Sequence, residues 1–297
     1  MKNIIKNILS IMKILKFLVI LFILKIPVLS AQQPIHEFSI YGGGGLSTLR
    51  YSLSLGDRSG GGLGTDFGMG YTVFVEKDWL TKAEKIYNEK WGFHTGIEFA
   101  SYNAKARIND AKITTKDLVD SDGDAFDLYT ELSGYSENQK VILMNIPVMA
   151  VFQIQKFYVM GGFKLGIPPV HKYRSKNIVF VNEANYDQWY NWAKTQTFAG
   201  YGTFSDKSSK GNFKLGMSVI FAFEAGMNWR IGEKFSIYTG AYFDYGLNNI
   251  AKDKSLPFIQ YNFRNPENFS TNSVLSSYTD KIKVMAAGIK VRFAMEK

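Results

Sequence analysis

Along much of this chain apolar and polar residues alternate one by one. In residues 63–75 the odd positions carry Leu63, Phe67, Met69, Tyr71, Val73 and Val75, while the even ones are mostly Gly64, Asp66, Gly68, Gly70 and Thr72. In residues 91–101 Trp91, Phe93, Ile97 and Phe99 face one way, and Gly92, His94, Gly96 and Glu98 the other. A period of two held over roughly ten residues predicts strands with one greasy and one polar face. The pattern recurs in residues 35–46, 141–154, 157–167, 213–229, 235–247 and 285–293, so eight strands are expected. Short links, such as 153–156 and 231–234, alternate with long polar ones, 105–139, 172–212 and 249–280. The two exceptions are a modest loop at 51–62 and a longer link at 77–90.

Even strand number, short turns at one end and long loops at the other predict an all-β fold. The expected form is an eight-stranded antiparallel, up-and-down transmembrane barrel with long extracellular loops. A soluble ligand-binding barrel alternates as well, but its apolar face points inward. Here the polar face mixes many glycines with bulky charges, Asp66, Glu98, Lys164, Glu224, Arg230, Asp244, Lys290 and Arg292. An eight-stranded barrel has an interior only wide enough for side chains to fill. Glycines beside balancing acids and bases suit that space, so these residues are expected to pair with one another and close the lumen. Trp91, Phe152, Phe157, Trp229, Phe235 and Phe293 all fall at strand ends next to short links, as an interfacial aromatic girdle requires.

The N-terminus changes the charge picture. Lys2, Lys6, Lys13 and Lys16 precede an apolar core at 17–24, which Lys25 closes, and Ser30-Ala31 offers a small-residue cleavage site. These features predict a cleaved signal peptide over 1–31, leaving 32–297 as the barrel domain. Removing those lysines lowers Lys plus Arg from 35 to 30 against 26 acids, so the net charge falls from +9 to +4. Nucleic-acid binding thereby loses its main support. Cysteine is absent, so neither disulfides nor an N-terminal lipid anchor on cysteine is expected.

The segments Asn145-Ile146-Pro147-Val148 and Lys156-Phe157-Tyr158-Val159-Met160-Gly161-Gly162-Phe163-Lys164-Leu165-Gly166 resemble the PorT-like and OmpA-like outer-membrane β-barrel family of Bacteroidota. So do residues 226–237, read Gly-Met-Asn-Trp-Arg-Ile-Gly-Glu-Lys-Phe-Ser-Ile, and 244–250, read Asp-Tyr-Gly-Leu-Asn-Asn-Ile. The motifs that carry the resemblance are structural, so they speak for an outer-membrane barrel and are nearly silent about activity; the predicted barrel itself is expected to keep both termini in the periplasm. Asn145 stands where that family often has an acid, Gly162-Phe163 where it often has Gly-Pro, and Ala294–Lys297 follow the terminal aromatic Phe293. No peptidoglycan-binding domain is expected.

Candidate chemistry is sparse. The histidines are His36, His94 and His171, and no nucleophile–base motif surrounds them, so no catalysis is expected. Asp120-Ser121-Asp122-Gly123-Asp124, with Glu131 at the twelfth place, has the carboxylate spacing of a calcium loop. Ala125 occupies the sixth place, where that loop needs Gly, so the expectation is reduced to weak calcium held by Asp120, Asp122, Asp124 and Glu131, with no other cofactor. Trp189, Tyr190 and Trp192 in the third long loop are candidates for stacking on an extracellular glycan or protein. The function expected is structural or surface-interacting, in a monomer surrounded by outer-membrane lipid. The alternatives are a PorT-type secretion component and a narrow ion channel.

Overall fold

The computed structural model describes residues 34–53, 59–76, 89–176, 178–189, 191–252 and 256–297. The expected signal peptide lies outside these residues. Alternating side chains need two different surroundings, and the chain supplies them by closing a sheet on itself. Among the described residues the strands are β1 (Ile35–Arg50), β2 (Ser59–Glu76), β3 (Glu89–Val119), β4 (Ala125–Ile154), β5 (Phe157–Lys176), β6 (Ile178–Tyr186), β7 (Asn191–Ala193), β8 (Gly202–Lys207), β9 (Lys210–Asn212), β10 (Ser218–Ile231), β11 (Phe235–Gly246), β12 (Ile259–Gln260), β13 (Ser270–Thr271) and β14 (Lys283–Glu296). β1 pairs with β2, β2 with β3, β3 with β4, β4 with β5, β5 with β10, β10 with β11, β11 with β14, and β14 with β1. Every pairing is antiparallel, and the ring is closed; only beyond it, from Arg107 outward, does β3 pair with β4 alone. The described chain ends lie together at the short-turn end, where the Lys297 amide donates to the His36 carbonyl.

The segments read as loops contain the additional strands. β6 to β9 lie within 172–212, and β12, β13 and a short helix, Val274–Ser277, lie within 249–280. The expected loop 105–139 is instead the far half of a hairpin, because β3 and β4 stay paired from Glu89↔Ile154 out to Val119↔Ala125.

Along that hairpin the meaning of the alternation reverses. On β3 the outward row runs Trp91, Phe93, Thr95, Ile97 and Phe99, then Ser101, Asn103, Lys105 and Arg107. The inward row runs His94, Glu98, Ala100, Tyr102, Ala104, Ala106 and Ile108. On β4 the outward row is apolar from Ile154 to Ile142 and polar from Lys140 onward. Polar inside and apolar outside thus becomes apolar inside and polar outside within a few residues. From Trp91 to Phe99, at roughly 3.3 Å per residue and a tilt near 40°, the apolar band is about 20–25 Å tall, the height of a barrel's lipid belt. Leu63 (76 % exposed), Leu46, Ile289 and Phe67 continue it around the ring. So extensive an exposed apolar belt has no place in water, and it defines a membrane-spanning barrel.

The same reversal corrects one expectation. Alternation through the expected strand 213–229 puts Phe213 and Leu215 on the lipid face with Val219 and Phe221. β10 begins only at Ser218, and before it Phe213 and Leu215 are buried while Lys214 is exposed. Leu215 bridges to Ala251 instead of to a ring strand, so this stretch belongs to the folded cap, where the apolar side is the inner one.

Exposed Ile289 sits within the band and Asn103 just beyond it. Ile289→Lys is expected to cost about 2–4 kcal/mol and Asn103→Lys less than about 1 kcal/mol, measured by urea unfolding in vesicles.

Candidate functional site

Inside the band, the buried charges form a chain in which three carboxylates alternate with two ammonium groups. Glu98 on β3 accepts from Lys164 Nζ of β5 at 2.8 Å through Oε1, and from Lys290 Nζ of β14 at 2.9 Å through Oε2. Lys164 reaches on to Asp244 Oδ2 of β11 at 2.8 Å, and Lys290 to Asp66 Oδ2 of β2 at 2.6 Å. A separate pair joins Arg292 to Glu224 Oε1 at 2.8 Å, and the same oxygen accepts from the Tyr158 hydroxyl at 2.8 Å. Asp66, Glu98, Lys164, Glu224, Asp244, Lys290 and Arg292 are all buried.

Aromatic rings and glycines give these long side chains their space. Lys290 Nζ lies 5.0 Å from the Tyr41 ring centroid and 4.9 Å from that of Tyr242, in reach of cation–π attraction. A methyl group at Gly43 would overlap the Asp66 carboxylate, and one at Gly70 would overlap the His94 ring. The cavity remaining among the charges is ≈ 10 Å³. That is about the least that holds a single water.

Arg230 is the exception among the expected lumen charges. Its side chain is 55 % exposed beyond the end of the ring, bonded to Glu296 at 3.1 Å and to the Glu233 carbonyl. Alternation continues through Arg230, but by then β10 has left the closed wall for its short turn with β11, so the inner face opens to solvent.

Above the ions the lumen is apolar. Leu49, Tyr102, Val141, Leu143, Ile220 and Val284 point inward from the ring, and Phe213, Leu215, Ile250, Leu275 and Ile282 fold into the mouth from the connecting segments. A second apolar core lies farther out, between the β3–β4 hairpin, β6 and the 258–278 segment, with Phe126, Leu128, Leu132, Tyr135, Phe180 and Phe258 at its centre.

Glu137 ties this cap together. It is fully buried on β4 above the band, and its carboxylate accepts from Tyr135, from Gln139 at 2.7 Å, from Ser273 at 2.6 Å and from the Val274 amide at 3.2 Å. Ser273 also caps the short helix by accepting from the Leu275 amide. Burial raises the Glu137 carboxyl above its ordinary 4.5, against the opposing pull of Ser273, Tyr135, Gln139 and Val274. Sequence reading missed this residue because its segment looked like a loop; its place in the inward row with Tyr135 and Gln139 was the available signal.

The expected calcium ligands do not converge. Asp120 turns the hairpin tip, its Oδ1 accepting from the amides of Asp122 and Asp124 at 2.9 Å each, and its Oδ2 from the Tyr186 hydroxyl at 3.0 Å. Burial opposes the Asp120 charge, but the donors of Asp124, Tyr186, Asp122 and Gly123 outweigh it and hold the carboxyl low. Glu131 stands well down β4, opposite Lys112 at 2.6 Å. Among the described residues no group of three or more acids, histidines or cysteines is arranged to hold a metal.

The recognition candidates are divided. Trp192 on β7 is 46 % exposed, packs 5.1 Å from the Tyr129 ring and has Lys194 Nζ over its face. Trp189 ends a 3-10 turn, and Tyr190 lies outside the described residues. His36 contacts the Tyr71 hydroxyl, His94 the Thr72 hydroxyl at 2.9 Å, and His171 the Pro168 carbonyl at 3.2 Å.

No family model matches the chain, and no curated protein matches it. Among solved structures it is similar to the attachment invasion locus protein Ail of Yersinia pestis, in complex with the heparin analogue sucrose octasulfate. Identity is 12 %, coverage 87 % of this chain and 98 % of that one, and the TM-score 0.31. It is also similar to the outer membrane protease OmpT of Escherichia coli, with 9 % identity, 90 % and 98 % coverage and a TM-score of 0.29. Similarities at that level say nothing about activity or ligand.

Two outcomes follow from this geometry. Glu224→Gln takes from buried Arg292 its salt-bridge partner among the described residues and is expected to cost about 3–5 kcal/mol, whereas exposed Arg230→Ala should stay within about 0.5 kcal/mol, both read by unfolding of the inserted barrel. The raised carboxyl of Glu137 contributes stability in full below 4.5, and that stability is lost as pH rises through its raised value. Amides of the Val274–Ser277 helix, corrected for intrinsic rate, should therefore exchange more slowly at about pH 5 than at about pH 8, and Glu137→Gln should remove the difference.

Proposed function

We propose that the chain is an outer-membrane protein whose eight-membered ring, β1 to β5 with β10, β11 and β14, anchors a folded β-rich cap outside the cell. The cap carries a surface-interaction role. The observation behind this reading is the reversal of polarity on β3 and β4, which places a water-type core directly on a lipid-type barrel. The short turns and both described ends then face the periplasm. The segments resembling the PorT-like and OmpA-like family form the β4–β5 and β10–β11 hairpins, so that kinship is read in the barrel and not in the cap.

Ion conduction is not part of this reading. Three salt-bridged bases and four acids cross the lumen, the space left among them is ≈ 10 Å³, and apolar side chains fill the mouth. Recognition is assigned to the side of the cap where Trp192 and Tyr129 form an exposed ring pair. Asp127, Asn185 and Glu183 flank that pair on adjoining strands. An aromatic face bordered by hydrogen-bonding groups suits a glycan.

Purified barrel in planar bilayers is expected to give no unitary conductance. On a glycan array it should bind a restricted set that Trp192→Ala loses, with unchanged heat-modifiable migration. Steady ion-specific conductance would replace this reading with the channel.

A further inference from the structure

The outward wall immediately above the apolar band carries cations on three consecutive rungs. The first rung reads Asn103, Lys140, Lys172 and Asn212 across β3, β4, β5 and β9. The second reads Lys105, Asn138, Arg174 and Lys210, and the third Arg107, Ser136 and Lys176. No acid stands on any of these rungs, and among the described residues no carboxylate forms a salt bridge with their cations. Farther out acids appear: Asp110 stands opposite Ser133, Lys112 pairs with Glu131, and Lys194 with Glu183.

Three like-charged pairs stand directly opposite each other: Lys140 with Lys172, Arg174 with Lys210, and, on the other side of the ring, Arg50 with Lys283. Cross-strand like charges destabilise a sheet unless something neutralises them. The Arg50–Lys283 pair adds a shape to that demand. Both cations lie over the Tyr245 ring, at 5.8 and 5.3 Å, on the rim of a groove of ≈ 1420 Å³. The groove runs down onto Leu46, Leu63 and Met285 of the apolar band. A basic rim over an apolar floor matches an anionic headgroup above its acyl chains.

We propose that this collar binds the phosphate-bearing headgroups of the lipid leaflet at the cap end of the barrel. The proposal rests on the membrane reading above and names the partner at the band's upper edge. Its occupant is lipid and not a soluble polyanion, because the cations hug the band on the barrel's flank and are absent as an unpaired set from the outer part of the hairpin. Near a surface each added cation strengthens attraction to anionic lipid, and salt weakens it within a Debye length.

The test uses the full chain folded into phosphatidylcholine vesicles with and without a bis-phosphorylated glycolipid. Lipid retained after detergent extraction is counted by native mass spectrometry, and insertion is followed separately by heat-modifiable migration. Wild type should retain the phosphorylated lipid, and Lys105→Gln/Lys172→Gln/Arg174→Gln should reduce retention about tenfold or more with insertion unchanged. Lys112→Gln/Lys194→Gln, which removes acid-paired cations, should leave retention as it was. Equal retention by wild type and the triple variant, or displacement of the lipid by a soluble sulfated polysaccharide at equal charge, would overturn the proposal alone. Failure of the wild type to insert in either vesicle would overturn the membrane reading, and the proposal with it.

Discussion

The structure turns on one carboxylate. Glu98 sits in the middle of a ring whose outside is lipid-facing, and it holds Lys164 on one oxygen and Lys290 on the other. An ion at that depth is tolerated only when its partners are fixed and close. Fixing them requires β3, β5 and β14 to stand around a narrow lumen, and that in turn requires the ring to close. Asp244 and Asp66 extend the chain of ions to β11 and β2, so most of the wall is cross-linked through its interior as well as through its backbone ladder. The glycines follow from the same demand, since Gly43 and Gly70 leave the volume that Asp66 and His94 fill. Asn145, where the resembled family often has an acid, donates to Glu98 at 3.2 Å; an acid there would face the Glu98 carboxylate.

The cap obeys different physics on the same strands. Once β3 and β4 leave the band their outward residues meet water, and their inward residues no longer face a lumen that ions can close. Tyr102, Ala104 and Ile108 then build an apolar core with side chains from the connecting segments. Burial of apolar surface drives this part, whereas in the band it is lipid exposure that is favourable. The two regimes meet within one or two rungs. Glu137 lies just beyond that junction and binds the Val274–Ser277 helix down onto the wall.

Much of the ring was legible in the sequence, and the physical reason is that a period of two survives whatever surrounds the strand. Each segment expected to cross the membrane corresponds to a ring strand, and seven of the eight expected lumen charges are buried inward. What alternation does not encode is which side is wet. Phe213 and Leu215 kept the right period and were assigned to lipid, although they pack into the cap. Residues 105–139 kept it too, but small inward Ala104 and Ala106 hid the apolar face, so a long hairpin read as a loop. Arg230 failed for a related reason, since parity continues past the point where the wall ends. The calcium spacing from Asp120 to Glu131 presumed a compact loop, and the chain instead runs straight from the tip into β4, carrying Glu131 away.

These two regimes also explain where recognition chemistry has room to reside. Within the band the outward face is committed to lipid and the inward face to ion pairs, so neither can vary without loss of the barrel. In the cap the inward face alone carries the core, and the outward face is free to hold Trp192 on Tyr129 or unpaired lysines at the membrane edge. A side chain there costs the fold little, because its removal opens no cavity and strands no ion. Long strands that outlast the membrane therefore do more than enlarge the molecule. They lift a rigid, ladder-bonded surface clear of the lipid, and the buried ions below hold that surface in one orientation.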